Sequence, residues 1–165
     1  AHGAFLSVES QHNSKISFKI LFPICDAQPN PIKNESSSCN YFSGGTILVV
    51  DDEFEVLQTI SELLTLIGFN VLSYNNGQDA IETLKTTNEE IRFIILDMTM
   101  PKMSGAETFA AIREINPEIP VLLTSGYDIS LTSKKLCEEP KVHFIQKPWT
   151  LRQIKKELSV LYEKI

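Results

Sequence analysis

Long apolar runs are missing from this 165-residue chain. None approaches the ~20 residues that a bilayer-spanning helix needs, so no membrane contact is expected of this piece. A secretory leader is missing too, because Ala1-His2-Gly3 does not begin a basic region followed by an apolar core. Met is absent from position 1, which leads us to expect a piece of a longer chain. Cysteine is scarce. Cys25, Cys39 and Cys137 are odd in number and lack metal-ligand spacing, which points to free thiols in a reducing, cytoplasmic compartment. Positive charge is in deficit, with 15 Lys and Arg against 21 Asp and Glu and a net charge of −6. General nucleic-acid binding wants a basic face, so no nucleic-acid partner is expected. Internal repeats are missing as well.

What is present is ordinary for a globular protein: 42% apolar and 22% charged residues. The length allows one domain with a real core plus some excess. The charge is unevenly spread. Residues 1–45 balance Lys15, Lys19 and Lys33 against Glu9, Asp26 and Glu35, so the acidic excess lies in 46–165.

Two apolar stretches open the chain, Ala4–Val8 and Ile16–Phe22, with polar Glu9–Lys15 between them. Ile16, Phe18 and Ile20 alternate, which predicts a β-hairpin extension with a long loop. Residues 23–45 carry Pro23, Pro29, Pro31, Ser36-Ser37-Ser38 and Gly44-Gly45, the composition of a linker. From Thr46 the pattern becomes regular. Strands are predicted at Thr46–Val50, Phe69–Tyr74, Ile91–Leu96, Ile119–Thr124 and Val142–Gln146. Helices are predicted at Glu53–Ile67, from Gln78 to Leu84 or slightly beyond, at Gly105–Ile115, at Ser130–Glu138, and over a final stripe of Leu151, Ile154, Leu158 and Leu161. Five strands alternating with five helices predict an α/β fold, a doubly wound five-stranded parallel sheet.

The run Phe93-Ile94-Ile95-Leu96 ends abruptly in Asp97. Counting from Thr46, the first strand ends in Asp51-Asp52, the fourth in Ser125 and the fifth in Lys147. In a parallel sheet these ends share one edge, and in a flavodoxin-like order 2-1-3-4-5 the first and third strands are neighbours there. Three clustered carboxylates repel one another unless a cation joins them, and an oxygen-only donor set suits Mg²⁺. A carboxylate beside a metal, an ammonium and a hydroxyl is arranged to attack phosphorus. Taken singly, Asp51 or Asp52 is as well explained as a helix cap, Ser125 before Gly126 as a turn residue, and Lys147 before Pro148 as a solvated lysine.

Val49-Val50-Asp51-Asp52-Glu53, Leu96-Asp97-Met98-Thr99-Met100-Pro101, Pro120–Tyr127 and Lys147-Pro148 together resemble the receiver domain of two-component response regulators. The resemblance covers about 46–165. It implies that Asp97 accepts a phosphoryl group, with Ser125 and Lys147 binding it. It implies that Asp52 binds Mg²⁺ directly, Asp51 through water, and Thr99 through its backbone carbonyl, with Asp97 completing the set. Phe144 stands where the family carries its aromatic switch, paired with Ser125. Thr99 and Tyr127 stand where the family sets phosphoryl lifetime. A cis Lys147–Pro148 bond is implied too. The segment Cys137-Glu138-Glu139-Pro140-Lys141 departs from the small-residue approach to the fifth strand common in the family.

Residues 1–22 resemble the last hairpin of a histidine-kinase ATP-binding domain, although the usual Gly-Thr before the last strand is absent. Together the two resemblances imply a hybrid histidine kinase, membrane-anchored or not, with a receiver after its kinase domain. The receiver would catalyse its own phosphorylation and dephosphorylation, while the kinase site itself is not expected here. The implied donor is the histidine-containing dimerisation domain of its own or a cognate kinase. A histidine phosphotransfer protein is the further implied partner. A different class of function is a docking module that regulates the kinase core without phosphorylation. No DNA-binding effector domain is expected.

Overall fold

The computed structural model describes residues 4–11, 15–23, 44–126 and 136–162. The chain divides into two compact units, residues 1–38 and 39–165, and the division falls within the linker-like stretch.

In the first unit, β1 (Phe5–Gln11) pairs antiparallel with β2 (Lys15–Leu21), Phe5 opposite Leu21 and Gln11 opposite Lys15. The hairpin is as expected, but the long loop is not. Both strands run on through the polar residues and leave only residues 12–14 between them, which lie outside the described residues. The reason is that a two-stranded ribbon has two faces. Ser7 and Glu9 sit opposite Lys19 and Ser17 on one face, so the polar residues belong to the strand and not to a loop. On the other face Leu6, Val8, Ile16, Phe18 and Ile20 are 54–70% exposed.

The second unit contains β3 (Thr46–Val50), α1 (Phe54–Leu66), β4 (Asn70–Tyr74), α2 (Gly77–Thr86), β5 (Ile91–Asp97), α3 (Gly105–Ile115), β6 (Val121–Ser125), β7 (Val142–Gln146) and α4 (Leu151–Tyr162). Its five strands are all parallel, in the order β4-β3-β5-β6-β7. Counted from β3 this is the expected 2-1-3-4-5 arrangement.

The central strands are buried on both sides, and their alternation sorts the core into two layers. Ile47, Val49, Phe93, Ile95, Leu122 and Ile145 pack with Leu57, Ile60 and Leu64 of α1 and with Ile154, Leu158 and Leu161 of α4. Leu48, Val50, Ile94, Leu96, Val121 and Leu123 pack with Ala80 of α2 and with Phe109 and Ile112 of α3. This is why the strands read as continuous apolar runs rather than as alternating ones.

Local chemistry sets the element ends. After α1, Gly68 takes φ +99°, Gly68 N–H donates to Thr65 O at 3.0 Å, and Phe69 N–H donates to Leu64 O at 3.1 Å. That is a left-handed glycine stop, sealed by the buried pair Phe69 and Leu64. A capping box of Ser104 and Glu107 starts α3. At β6 the ladder begins at Val121 rather than at Ile119, because Pro120 has no N–H to give.

Four helices stand among the described residues of this unit. The expected helix over Ser130–Glu138 falls mainly outside them. Leu136 is helical, and the chain then turns through Cys137 to Lys141 before entering β7. Among the described residues, no helix is long and apolar enough to cross a membrane.

Candidate functional site

The carboxyl edge of the sheet is built by extending each strand one residue into its loop. After β3, Asp51 N–H donates to Tyr74 O at 3.1 Å, so Asp51 stays in line with the sheet. Its Oδ1 accepts the Glu53 N–H at 3.1 Å. The cap position of α1 is Glu53, whose side chain makes no capping bond, so helix capping does not account for Asp51 and Asp52.

Asp97 is the last residue of β5. Met98 N–H donates to Thr124 O at 2.9 Å and carries the ladder past it. The carboxylate of Asp97 accepts the Thr99 N–H on Oδ2 at 2.9 Å and the Thr124 hydroxyl on Oδ1 at 3.5 Å. The loop that follows passes very close to the first turn of α3. A Cβ on Gly105 would lie 2.3 Å from Asp97 O and 2.5 Å from Met98 Cα, so only glycine fits there. Ser125 ends β6, and its carbonyl accepts the Lys147 N–H at 2.8 Å, which ties the ends of β6 and β7 together. The Lys147–Pro148 bond is cis, as expected.

These ends converge. Lys147 Nζ lies 2.7 Å from Asp51 Oδ2, 3.1 Å from Asp97 Oδ1 and 3.4 Å from Glu53 Oε1. Asp51, Asp52 and Asp97 each offer a carboxylate oxygen, and the three oxygens lie within 4.8 Å of one another. Asp51 and Asp97 are buried, at 4% and 2% exposure, while Asp52 is half-buried. Burial pushes the Asp51 carboxyl above the usual aspartate range. The Lys147 hydrogen bond, the Glu53 N–H and the Lys147 charge oppose that rise, and the Asp97 charge adds to it. Burial alone would depress the Lys147 ammonium, but its bonds to Asp51 and Asp97 and their charges outweigh it, and the net shift is upward. Lys147 is therefore held firmly as a cation between two carboxylates.

This donor set fits a hard divalent cation. The three side-chain donors are all carboxylate oxygens, which suit Mg²⁺ far better than a soft metal. Three clustered carboxylates, two of them paired with one ammonium, leave negative charge for a cation to neutralise.

Thr99 and Ser125 join the same edge, with their hydroxyl oxygens 3.4 Å apart. Phe144 sits in β7 opposite Leu123, half-buried against the layer that contains Leu96 and Leu123. Tyr127 lies outside the described residues. Three residues that shape the site were not singled out from sequence. Glu53 reaches Lys147, Thr124 reaches Asp97, and Gly105 lets α3 close on the Asp97 loop. The signal for Thr124 was its place one residue before Ser125. For Gly105 it was a glycine just inside a helix start, where it carries no turn.

Residues 47–159 match the family described as response regulator receiver domain. The chain is similar to the sensor kinase CckA of Brucella abortus, 25% identical over 170 residues, covering 98% of this chain and 18% of that protein. It is also similar to a CpxR transcriptional regulatory protein homologue of Haemophilus influenzae, 40% identical over 84 residues, covering 50% of this chain and 36% of that protein. The chain thus spans well under half the length of either relative. Among solved structures, a response regulator receiver protein from Sinorhizobium medicae superposes with a TM-score of 0.64 at 29% identity, covering 73% of this chain and 95% of that one. With the parallel sheet, the acidic edge and the family match in agreement, the chain belongs to the response regulator receiver domain family of two-component signalling.

Proposed function

We propose that this chain is the phospho-accepting receiver of a hybrid sensor kinase, with Asp97 as the acceptor. The observation that carries this reading is the bridging of Asp51 and Asp97 by Lys147 beside a third carboxylate, Asp52. An Asp97 oxygen forms the new P–O bond as the P–N bond of a phosphohistidine breaks. The bonding electron pair leaves on the imidazole nitrogen. Lys147, 3.1 Å from Asp97 Oδ1, faces the negative charge that the phosphoryl oxygens bring to this edge. Ser125 supplies a hydroxyl donor on the neighbouring strand end. Asp52 directly, Asp51 through water, Asp97 and the Thr99 carbonyl would hold Mg²⁺. That ion neutralises phosphoryl charge when bound. Receiver domains in general bind Mg²⁺ through an acidic pocket of this kind.

The donor is the histidine-containing dimerisation domain of its own or a cognate kinase, and a histidine phosphotransfer protein is the onward partner. The match to the Brucella sensor kinase runs through 98% of the chain, and therefore through the hairpin as well as the receiver. That supports reading residues 1–22 as the end of a kinase ATP-binding domain and 23–45 as the linker to the receiver, on the cytoplasmic side. The exposed apolar face of the hairpin agrees, since an isolated hairpin needs something to pack on.

The test is incubation with acetyl phosphate and Mg²⁺, followed by intact-mass measurement. The wild type gains one phosphoryl group. Asp97→Asn gains none, and neither does the wild type stripped of divalent cations. A stable adduct on Asp97→Asn would overturn the assignment.

A further inference from the structure

Two hydroxyls face each other at this edge, each on a residue whose backbone is tied in place. Thr99 is tied to the acceptor itself, since its N–H donates to Asp97 Oδ2 at 2.9 Å. The carbonyl of Ser125 is tied to Lys147 N–H at 2.8 Å, so the part of Ser125 that turns is its side chain. Thr99 Oγ1 and Ser125 Oγ then lie 3.4 Å apart, the long end of a hydrogen bond and correspondingly weak. Thr99 is β-branched and stiff at χ1, whereas Ser125 is not. Either hydroxyl can be the donor in this contact, and in both cases Ser125 Oγ must leave Thr99 Oγ1 to turn elsewhere.

We propose that Thr99 is a positioning residue whose side-chain hydroxyl holds Ser125 at rest and sets how readily Ser125 turns to the phosphoryl group on Asp97. This rests on the functional reading above. It gives the Thr99 side chain a task separate from its backbone carbonyl. The hold is weak enough to break and strong enough to bias the rest state. Ser125 must exchange the Thr99 contact for a phosphoryl oxygen, and the exchange lowers the net gain on phosphorylation. Removing the Thr99 hydroxyl removes that competitor. A long hydrogen bond stands at the low end of the usual net worth, about twofold in affinity.

The experiment is a double-mutant cycle on beryllofluoride binding in saturating Mg²⁺, followed by the fluorescence of Trp149, the chain's single tryptophan. Thr99→Val, which keeps the shape and removes the hydroxyl, tightens beryllofluoride binding by about twofold where Ser125 is intact. In the Ser125→Ala background the same substitution changes nothing. Thr99→Ser, which keeps a hydroxyl, restores the wild-type affinity. Unchanged or weaker binding by Thr99→Val with Ser125 intact overturns the proposal. So does an equal change in both backgrounds, because Thr99 would then act independently of Ser125. Failure of the wild type to bind beryllofluoride at all would overturn the receiver reading and this inference with it. Binding by the wild type with an additive cycle would remove the inference alone.

Discussion

The two edges of the receiver sheet are built from similar residues and end in opposite electrostatic states. At the amino edge, Thr46 Oγ1 donates to Glu89 Oε2 at 2.8 Å, and Asn70 Nδ2 donates to Glu89 Oε2 at 3.1 Å and to Thr46 Oγ1 at 3.2 Å. Arg92 Nη1 donates to Gly44 O at 2.9 Å. Glu89 is met by neutral donors, Glu118 pairs with Lys141 at 3.2 Å, and Arg92 takes a backbone carbonyl. At the carboxyl edge, three carboxylates crowd within 4.8 Å and one ammonium touches two of them. The first edge satisfies itself. The second gathers like charges in a buried place, where they are costly. An arrangement that spends stability in this way supports the proposed site, and the quiet amino edge has no such crowding among the described residues.

The largest expected effect is on stability, and it belongs to one edge only. Mg²⁺ at a hundred times its dissociation constant should stabilise the receiver by about 2.7 kcal/mol, read as a shift of the urea midpoint against a chelated control. An unchanged midpoint would mean that the crowded carboxylates do not take up the ion. Next, Asp52→Ala should weaken Mg²⁺ binding by at least about tenfold, the lower end of what outer ligands alone are worth. Asp51→Ala should cost less if, as proposed, Asp51 acts through water. Titration of Trp149 fluorescence checks both, and wild-type affinity in Asp52→Ala would remove Asp52 from the metal set.

The phosphoryl lifetime comes third. Thr99 carries a hydroxyl but no amide or carboxylate, so it orients a hydrolytic water poorly, and neither Thr99 nor Tyr127 supplies a strong base. A Thr99→Asn, Tyr127→Glu double variant should lose the phosphoryl group about tenfold faster, the effect of ~1.4 kcal/mol at the transition state. Equal decay rates would show that these positions do not set the lifetime. The smallest effect lies at the quiet edge. Glu89→Ala should cost about 1 kcal/mol of stability and leave Mg²⁺ affinity untouched. A change in Mg²⁺ affinity there would mean that the two edges are coupled.

The carboxyl edge was legible in sequence because each apolar strand run stops on a residue that could not belong to its interior. Asp51, Asp97, Ser125 and Lys147 all stand at such stops, and the structure gathers them on one edge. Alternation of strands and helices implies a parallel sheet with crossovers of one hand, and the order 2-1-3-4-5 follows only once the flavodoxin-like arrangement is taken. What was not legible depended on contacts between distant residues. Glu53 meets Lys147 across 94 positions, and a count of periodicity cannot see that bond. Gly105 is required by a backbone approach, and its place just inside a helix start hints at a reason without naming the partner. The hairpin loop is shorter than the pattern predicts because Glu9, Ser10, Gln11 and Lys15 all pair within the ladder, where polar residues do not mark a turn. The Thr99–Ser125 contact joins two loop starts whose spacing only the folded edge defines.

The central claim is that Asp97, rather than either neighbouring carboxylate, takes the phosphoryl group. Reductive trapping tests it most directly. The domain is phosphorylated with acetyl phosphate and Mg²⁺ and treated at once with borohydride, which reduces an acyl phosphate to an alcohol. Peptide mass spectrometry then locates the reduced residue. The account predicts reduction at Asp97 alone, with Asp51 and Asp52 intact. Reduction at Asp51 or Asp52, or none at all in a sample whose intact mass shows the adduct, would contradict it.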